Sequence, residues 1–285
     1  LAGAGAHVVL ACRNEKRADA AIAAIRARVP SAQLEFLAVD TADLASVSAA
    51  AARIRDFERV DVLIENAAMV HPPAERTASV DGNEIVLATN FLGHFALTAQ
   101  VMSVLRRTPG ARVISLGSMV TRLYDFRIGD LQLRAHYTPN RAYAHSKIAV
   151  QSFGFELDRR LRGAGAGAGA VAAGVGLASI IAHPGYSIGG LTQRIAGVNE
   201  PSSRKRVTDA LLSPMAQSKS RGAWPIVRAA VDPHAVGGHY YGPRLVTEGR
   251  PVLQTPTHTS VDPEIAAELW AKAEEYTGVP FEVTR

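Results

Sequence analysis

Four residues of the chain have the types and spacing to move a proton to or from an alcohol or a carbonyl. Tyr143 and Lys147 stand four apart in Tyr143-Ala144-His145-Ser146-Lys147, so on a helix their side chains share one face. A free phenol has a pKa of about 10 and is a poor acid or base at neutral pH. An ammonium beside it stabilises the phenolate and brings that value down, which suits acid–base work on a carbonyl/alcohol couple. The same spacing also arises on any solvated helix face, so the pair alone decides nothing. Ser118 adds to it, lying just past the apolar run Val113-Ile114-Ser115-Leu116, where a hydroxyl can bond a substrate oxygen. Asn90, in Thr89-Asn90-Phe91-Leu92-Gly93-His94-Phe95, is polar within an apolar stretch. It reads either as a core amide bonded to backbone or as the holder of a water that relays protons to Lys147.

The elements that must position these residues follow from periodicity. Strands are predicted over His7–Cys12, Leu34–Val39, Val60–Glu65, Ala111–Leu116, Val175–Ala182 and Gly238–Tyr241. Between and after them, helices are predicted over Glu15–Val29, Ser46–Phe57, Asn83–Arg107, Arg141–Leu161 and Pro263–Tyr276, with Asp43 or Thr41 near the second helix's cap. Apolar strands alternating with helices imply an α/β fold with a parallel sheet covered on both faces. No shift in composition marks a second domain, so residues 1–285 read as one. Ligands of such sheets lie beyond the carboxyl ends of the strands. The pattern weakens over 191–224, where Leu191, Ile195, Val198, Leu211, Leu212 and Met215 read as an apolar lid over a hydrophobic alcohol, aldehyde or ketone. Tyr186 and the segment Met119–Tyr137 are further candidates for lining the pocket.

Composition narrows the classes. At 47% hydrophobic and 20% charged, the 285 residues are those of a globular and not a disordered chain. One cysteine, Cys12, excludes an internal disulfide framework and a cysteine-cluster metal site. His145, His183 and the other histidines lack metal-ligand spacing, so no metal is expected. The net charge of +5 admits an anionic ligand. Arg204-Lys205-Arg206 is short and has no interleaved aromatics, and reads as solvated surface instead of a nucleic-acid site. Val8-Val9-Leu10-Ala11-Cys12 has the look of a bacterial lipoprotein box, but no basic region precedes it. A buried strand ending in a polar loop is the expectation. Gly163–Ala182 carries no charge and is long enough to span a membrane. Its repeated glycines each disfavour helix by about 1 kcal/mol, so 163–170 reads as a Gly/Ala-rich loop leading into a strand. That loop precedes a strand where a phosphate cradle would open a helix. No membrane span is expected, and the expected location is the cytoplasm.

In chain order, Asn90, Ser118, Tyr143 and Lys147 resemble the Asn-Ser-Tyr-Lys tetrad of the short-chain dehydrogenase/reductases. The likeness is nearest to the branch of retinol-dehydrogenase-like and protochlorophyllide-reductase-like members. It extends through Ala6–Asn14, Thr89–Thr98, Arg141–Leu161, His183-Pro184-Gly185-Tyr186, Gly237–Pro243 and Leu269–Gly278, nearly the whole chain. The resemblance implies a Rossmann-like doubly wound parallel sheet and hydride transfer between a nicotinamide and a carbonyl or alcohol carbon. In the implied roles Tyr143 transfers the proton, Lys147 lowers its pKa and holds the nicotinamide ribose, and Ser118 polarises the carbonyl. It also implies cofactor contacts at Asn66, Ala67, Pro184 and Gly185, an adenine contact at Asp40 beside Thr41, and a small-molecule substrate. Asp40 reads equally well as a helix-capping residue. Family members self-associate through helix faces, so a homo-oligomer is an expectation with no identifiable interface.

Cofactor preference is read at the end of the first strand. An acidic residue there would bond a ribose 2′-hydroxyl. Here the strand ends at Cys12 and Arg13 follows, able to pair with a 2′-phosphate. NADP(H) is the expected cofactor, with Lys16 or Arg17 assisting. Departures from the pattern are also visible. The family's first strand and glycine-rich pyrophosphate loop would precede Leu1, so the chain is expected to lack both and to be truncated at its start. The family's Asn-Asn-Ala-Gly reads Glu65-Asn66-Ala67-Ala68, adding a methyl group and restricting backbone angles. The threonine expected to contact the carboxamide is Gly189, with Thr192 three residues further on. These changes leave a second reading, a non-catalytic Rossmann-like binding protein.

Overall fold

The alternating apolar segments fold as a parallel sheet in two hydrogen-bonded parts. In the computed structural model, which describes residues 1–164 and 176–283, Val8–Cys12 (β1) pairs in parallel with Leu34–Ala38 (β2), Val8 opposite Leu34 and Cys12 opposite Ala38. Between them runs Glu15–Arg26 (α1), started by Asn14, whose side chain accepts from the Arg17 amide at 2.9 Å. Leu44–Arg55 (α2) is capped by Asp43, which accepts from the amides of Ala45 and Ser46. The second part of the sheet begins with Val62–Glu65 (β3) and passes to Arg112–Leu116 (β4) and Ala178–Ala182 (β5), all parallel. Ser187–Ile188 (β6) and Gln217–Ser218 (β7) form a short parallel pair of their own. Tyr240–Pro243 (β8) continues the main sheet in parallel beside β5, and Pro251–Leu253 (β9) closes that edge antiparallel. β5 is buried throughout and β4 nearly so, whereas most of β1 and β3 is half-buried.

The main sheet is covered on both faces. One face carries Phe91, Phe95, Phe153, Leu157, Trp270 and Phe281 over Val113. The other packs Ile114, Leu116, Ile180 and Ala182 against Ile226, Ala229 and Tyr241. Successive side chains of a strand alternate between faces. Ser115 therefore points with Val113 toward the aromatic layer.

The helix expected as one piece over 83–107 is broken. Ile85–Leu87 (α3) is started by Glu84, whose carboxylate accepts from the amides of Val86 and Leu87. A wide π-helical turn over Ala88–Leu92 follows, then Gly93–Gln100 (α4), a break at Val101, and Met102–Arg107 (α5). Pro139–Gly163 (α6) is the long helix predicted from Arg141. It begins earlier because Thr138 caps the Arg141 amide and Pro139 occupies the first turn. The expected Gly/Ala loop starts inside this helix, and its residues 165–170 lie outside the described residues, as does Val175. The expected lid contains Ser203–Leu211 (α7), β7, Lys219–Gly222 (α8) and the start of Trp224–Val231 (α9). Of its apolar residues, Leu191, Ile195 and Leu212 are half-buried, while Val198, Leu211 and Met215 face solvent. His258–Val261 (α10) and Pro263–Thr277 (α11) end the fold, with Gly278 in the left-handed cap at φ 63°. Among the described residues no helix is long and apolar enough to cross a membrane.

Candidate active site

The carboxyl end of β4 and the first turns of α6 bring three of the four tetrad residues together. Ser118 follows β4 and caps the short 3-10 turn Met119–Arg122. A hydrogen bond links its side chain to Tyr143. Burial pushes the Tyr143 phenol above its usual value, and the bond from Ser118 pulls it partly back. Lys147 is not among the causes of that shift; its ammonium donates to the carbonyl of Leu116 at 2.7 Å. Lys147 is 4% exposed. Burial brings its pKa down to about 8, against an opposing pull from Glu65.

Asn90 sits in the π-helical turn. Its Oδ1 accepts from the Met69 amide at 2.6 Å, and its Nδ2 donates to the Met69 carbonyl at 3.3 Å and to Ser146 Oγ at 2.9 Å. Of the two readings left open, the geometry supports the core amide bonded to backbone. The side chain makes no direct bond to Lys147.

Two ionisable residues that the sequence reading did not select lie under this group. Glu65 ends β3 at 3% exposure, accepting from Thr98 Oγ1 at 2.7 Å and Ser115 Oγ at 2.6 Å. His94, on α4, contacts the Ala67 carbonyl through Nε2 at 2.8 Å, and burial lowers its pKa. An acidic residue closing an apolar strand was the signal available for Glu65.

The expected cofactor residues line the same ends of the strands. Arg13 is largely exposed just past β1 and forms an ion pair with Asp40 at 3.8 Å. Asp40 is not the cap of α2, a position held by Asp43; its Oδ1 instead accepts from the Ala42 amide at 3.0 Å. Thr41 is buried against Gly93, where a Cβ would come within 2.0 Å of the Thr41 carbonyl oxygen. Asn66 is exposed and Ala67 half-buried. Ala68 is outside the left-handed region, so the alanine there carries no backbone strain. Pro184 accepts from Ser187 and Gln217. Gly185 has φ +64°, and a Cβ there would fall 2.2 Å from the Thr247 carbonyl oxygen. Thr192 donates to the Ile188 carbonyl and accepts from the Lys219 amide, so its hydroxyl is engaged within the fold. Among the described residues no group of three His, Cys, Asp or Glu could hold a metal ion.

The chain is similar to known proteins in family and fold. The short chain dehydrogenase family profile matches residues 1–180. Polyprenol dehydrogenase of Mus musculus is 32% identical over 290 residues, covering 98% of this chain and 78% of the relative. Retinol dehydrogenase 12 of Mus musculus is 31% identical over 244 residues, covering 85% and 71%. A crystal structure of an uncharacterized protein from Mycobacterium Paratuberculosis superposes with a TM-score of 0.72 at 31% identity, over 99% of this chain and 88% of that one. A short chain dehydrogenase from Burkholderia cenocepacia J2315, solved in complex with NADP, shares the fold at a TM-score of 0.59 and 21% identity, over 85% and 87%. The chain belongs to the short-chain dehydrogenase/reductase family. It is an NAD(P)-dependent oxidoreductase of Rossmann-like α/β fold acting on a CH–OH group.

Proposed function

We propose that the chain interconverts an apolar alcohol and its carbonyl compound with NADP(H), using Tyr143 as the acid–base group. The observation that carries this reading is the bond between Ser118 and Tyr143 beside a buried Lys147 at the carboxyl end of β4. At neutral pH the buried Tyr143 is a phenol, the form that donates a proton to a carbonyl oxygen. Ser118 orients that oxygen from the opposite side. Lys147 has three N–H donors and gives one to Leu116, leaving two for the hydroxyls of a ribose. The exposed guanidinium of Arg13, held loosely by Asp40, has donors free for a phosphate. These donor sets fit a nicotinamide dinucleotide phosphate, which when bound supplies or accepts the hydride. The names of the relatives, for polyprenol and retinol, support an apolar alcohol as substrate.

The test is turnover of long-chain and isoprenoid alcohols and aldehydes with NADPH and NADH, in the wild-type chain and in Tyr143→Phe. Loss of the proton donor is expected to lower kcat by about a hundredfold or more. A Tyr143→Phe variant with wild-type turnover would overturn the assignment, and equal use of both cofactors would overturn the preference.

A further inference from the structure

Glu65, buried at the end of β3, is the carboxylate whose charge acts on Lys147. The β3–β4 register places it opposite Ser115, whose hydroxyl it accepts at 2.6 Å, and the next residue, Leu116, holds the Lys147 ammonium at 2.7 Å. Anion and cation are thus anchored on adjacent residues of one buried strand. Both carboxylate oxygens receive a short hydroxyl bond, from Ser115 and from Thr98. That is the pattern of an acceptor-only, ionised group.

Among the described residues Glu65 makes no ion pair, so its charge acts through space in a medium of low dielectric. The titratable groups coupled to it are His94, from α4, and Lys147, from α6. His94 is kept neutral by burial. Lys147 is therefore the cation that the carboxylate serves.

We propose that Glu65 is a positioning residue for the acid–base site, its buried carboxylate being the countercharge that keeps Lys147 an ammonium beside Tyr143. This rests on the reading of Tyr143 and Lys147 as the reacting pair. Burial works against the ammonium and Glu65 works for it. A neutral side chain at 65 leaves Lys147 uncharged over more of the neutral range, and removes a cation from the site.

The experiment titrates Lys147 directly, by NMR of 15Nζ-labelled lysine in the full chain, with its signal assigned through Lys147→Met. Glu65→Gln is expected to lower the Lys147 midpoint by about one pH unit. The high-pH limb of NADPH-dependent carbonyl reduction should move down with it. Glu65→Asp keeps the charge and is expected to hold the wild-type midpoint. In the wild-type chain, the Glu65 carboxyl 13C signal should show a step at the Lys147 midpoint, a readout that needs no variant. An unmoved midpoint in Glu65→Gln, an equal fall in Glu65→Asp, or no carboxyl step each overturns the proposal. Failure of the underlying reading shows separately, as a Tyr143→Phe variant that keeps its turnover.

Discussion

Asn90 holds Met69 by both of its backbone groups, accepting from the amide at 2.6 Å and donating to the carbonyl at 3.3 Å. The same amide group donates to Ser146 Oγ, which donates in turn to the Tyr143 carbonyl at 2.8 Å. One side chain thus ties the segment after β3 to the turn of α6 that carries Tyr143. Asn90→Ala strands the amide and carbonyl of Met69 and removes the donor to Ser146 Oγ, which keeps its bond to the Tyr143 carbonyl. Leaving buried polar groups unpaired costs about 1–3 kcal/mol each. We expect a lowered urea midpoint together with reduced kcat. Asn90→Asp, which keeps the acceptor and loses the donors, should fall between alanine and wild type. Wild-type stability in Asn90→Ala would refute the bracing role.

On the proposed function, Arg13 would set the choice between the two nicotinamide dinucleotides. A guanidinium–phosphate contact is charge-assisted and planar, and a lysine does not reproduce it. Arg13→Ala is expected to raise the KM for NADPH roughly tenfold, about 1.4 kcal/mol, and to leave that for NADH nearly unchanged. Asp40 competes for the same guanidinium at 3.8 Å. Asp40→Asn should accordingly tighten NADPH binding by about twofold, since an exposed pair of this kind contributes little. If Asp40→Asn instead weakens NADPH and NADH alike, Asp40 acts on the adenine shared by both.

How much of this was legible in the sequence differs by element. The strands β1 to β5 could be read from their apolar runs, most directly β4 and β5, because a parallel strand buried on both faces has little room for polar residues. The first turn of α6 was missed although Thr138 and Pro139 signal it, because the apolar pattern begins only later. The break within 83–107 has no periodic signature. The π-helical turn in it carries Asn90, whose bond to Met69 is a tertiary contact that helix periodicity does not encode. β9 is three residues long and begins with a proline, below what alternation can detect. Ser118 and Tyr143 were legible by type and position, but not the direction of the phenol's shift. That direction depends on how deeply the fold buries the phenol. Glu65 was visible as a residue, yet its partners Thr98 and Ser115 lie 33 and 50 residues away in sequence.

Gly93 fixes how closely α4 approaches the end of β2. A Cβ there would lie 2.0 Å from the carbonyl oxygen of Thr41 and 2.8 Å from its Cβ, both on a neighbouring segment with no flexible end to yield. Gly93→Ala must push α4 away from Thr41. The expected cost is on the order of 1–3 kcal/mol, that of overpacking. Because Asp40 and Thr41 move with that segment, the KM for cofactor should rise with little change in kcat. Thermal unfolding of Gly93→Ala with and without NADPH checks both effects. An unchanged Tm in the absence of cofactor would contradict the close approach.

Acid stability depends on buried groups that pull in opposite directions. Burial brings His145 and His183 down to about 4, and raises Asp158 to about 6 against the pull of Arg162. Between the histidines' ordinary value of 6.5 and their folded value, the unfolded chain binds more protons, so stability falls as pH falls. Asp158 works the other way between about 6 and its ordinary 3.8, where the folded chain binds more protons and stability rises as pH falls. These two histidines outweigh the one carboxyl, and His94, also lowered by burial, acts in the same direction, so a net loss of stability is expected between pH 7 and pH 4. His145→Phe sets an apolar ring against Phe126, whose centroid lies 5.3 Å from that of His145. It removes one of these histidine titrations, leaves Asp158 to offset His183 below about pH 6, and should largely flatten the acid-side slope of unfolding free energy against pH. Urea unfolding at several values from pH 7 to pH 4.5 measures that slope. A slope in His145→Phe as steep as in the wild type would mean that the histidine is already charged in the folded chain.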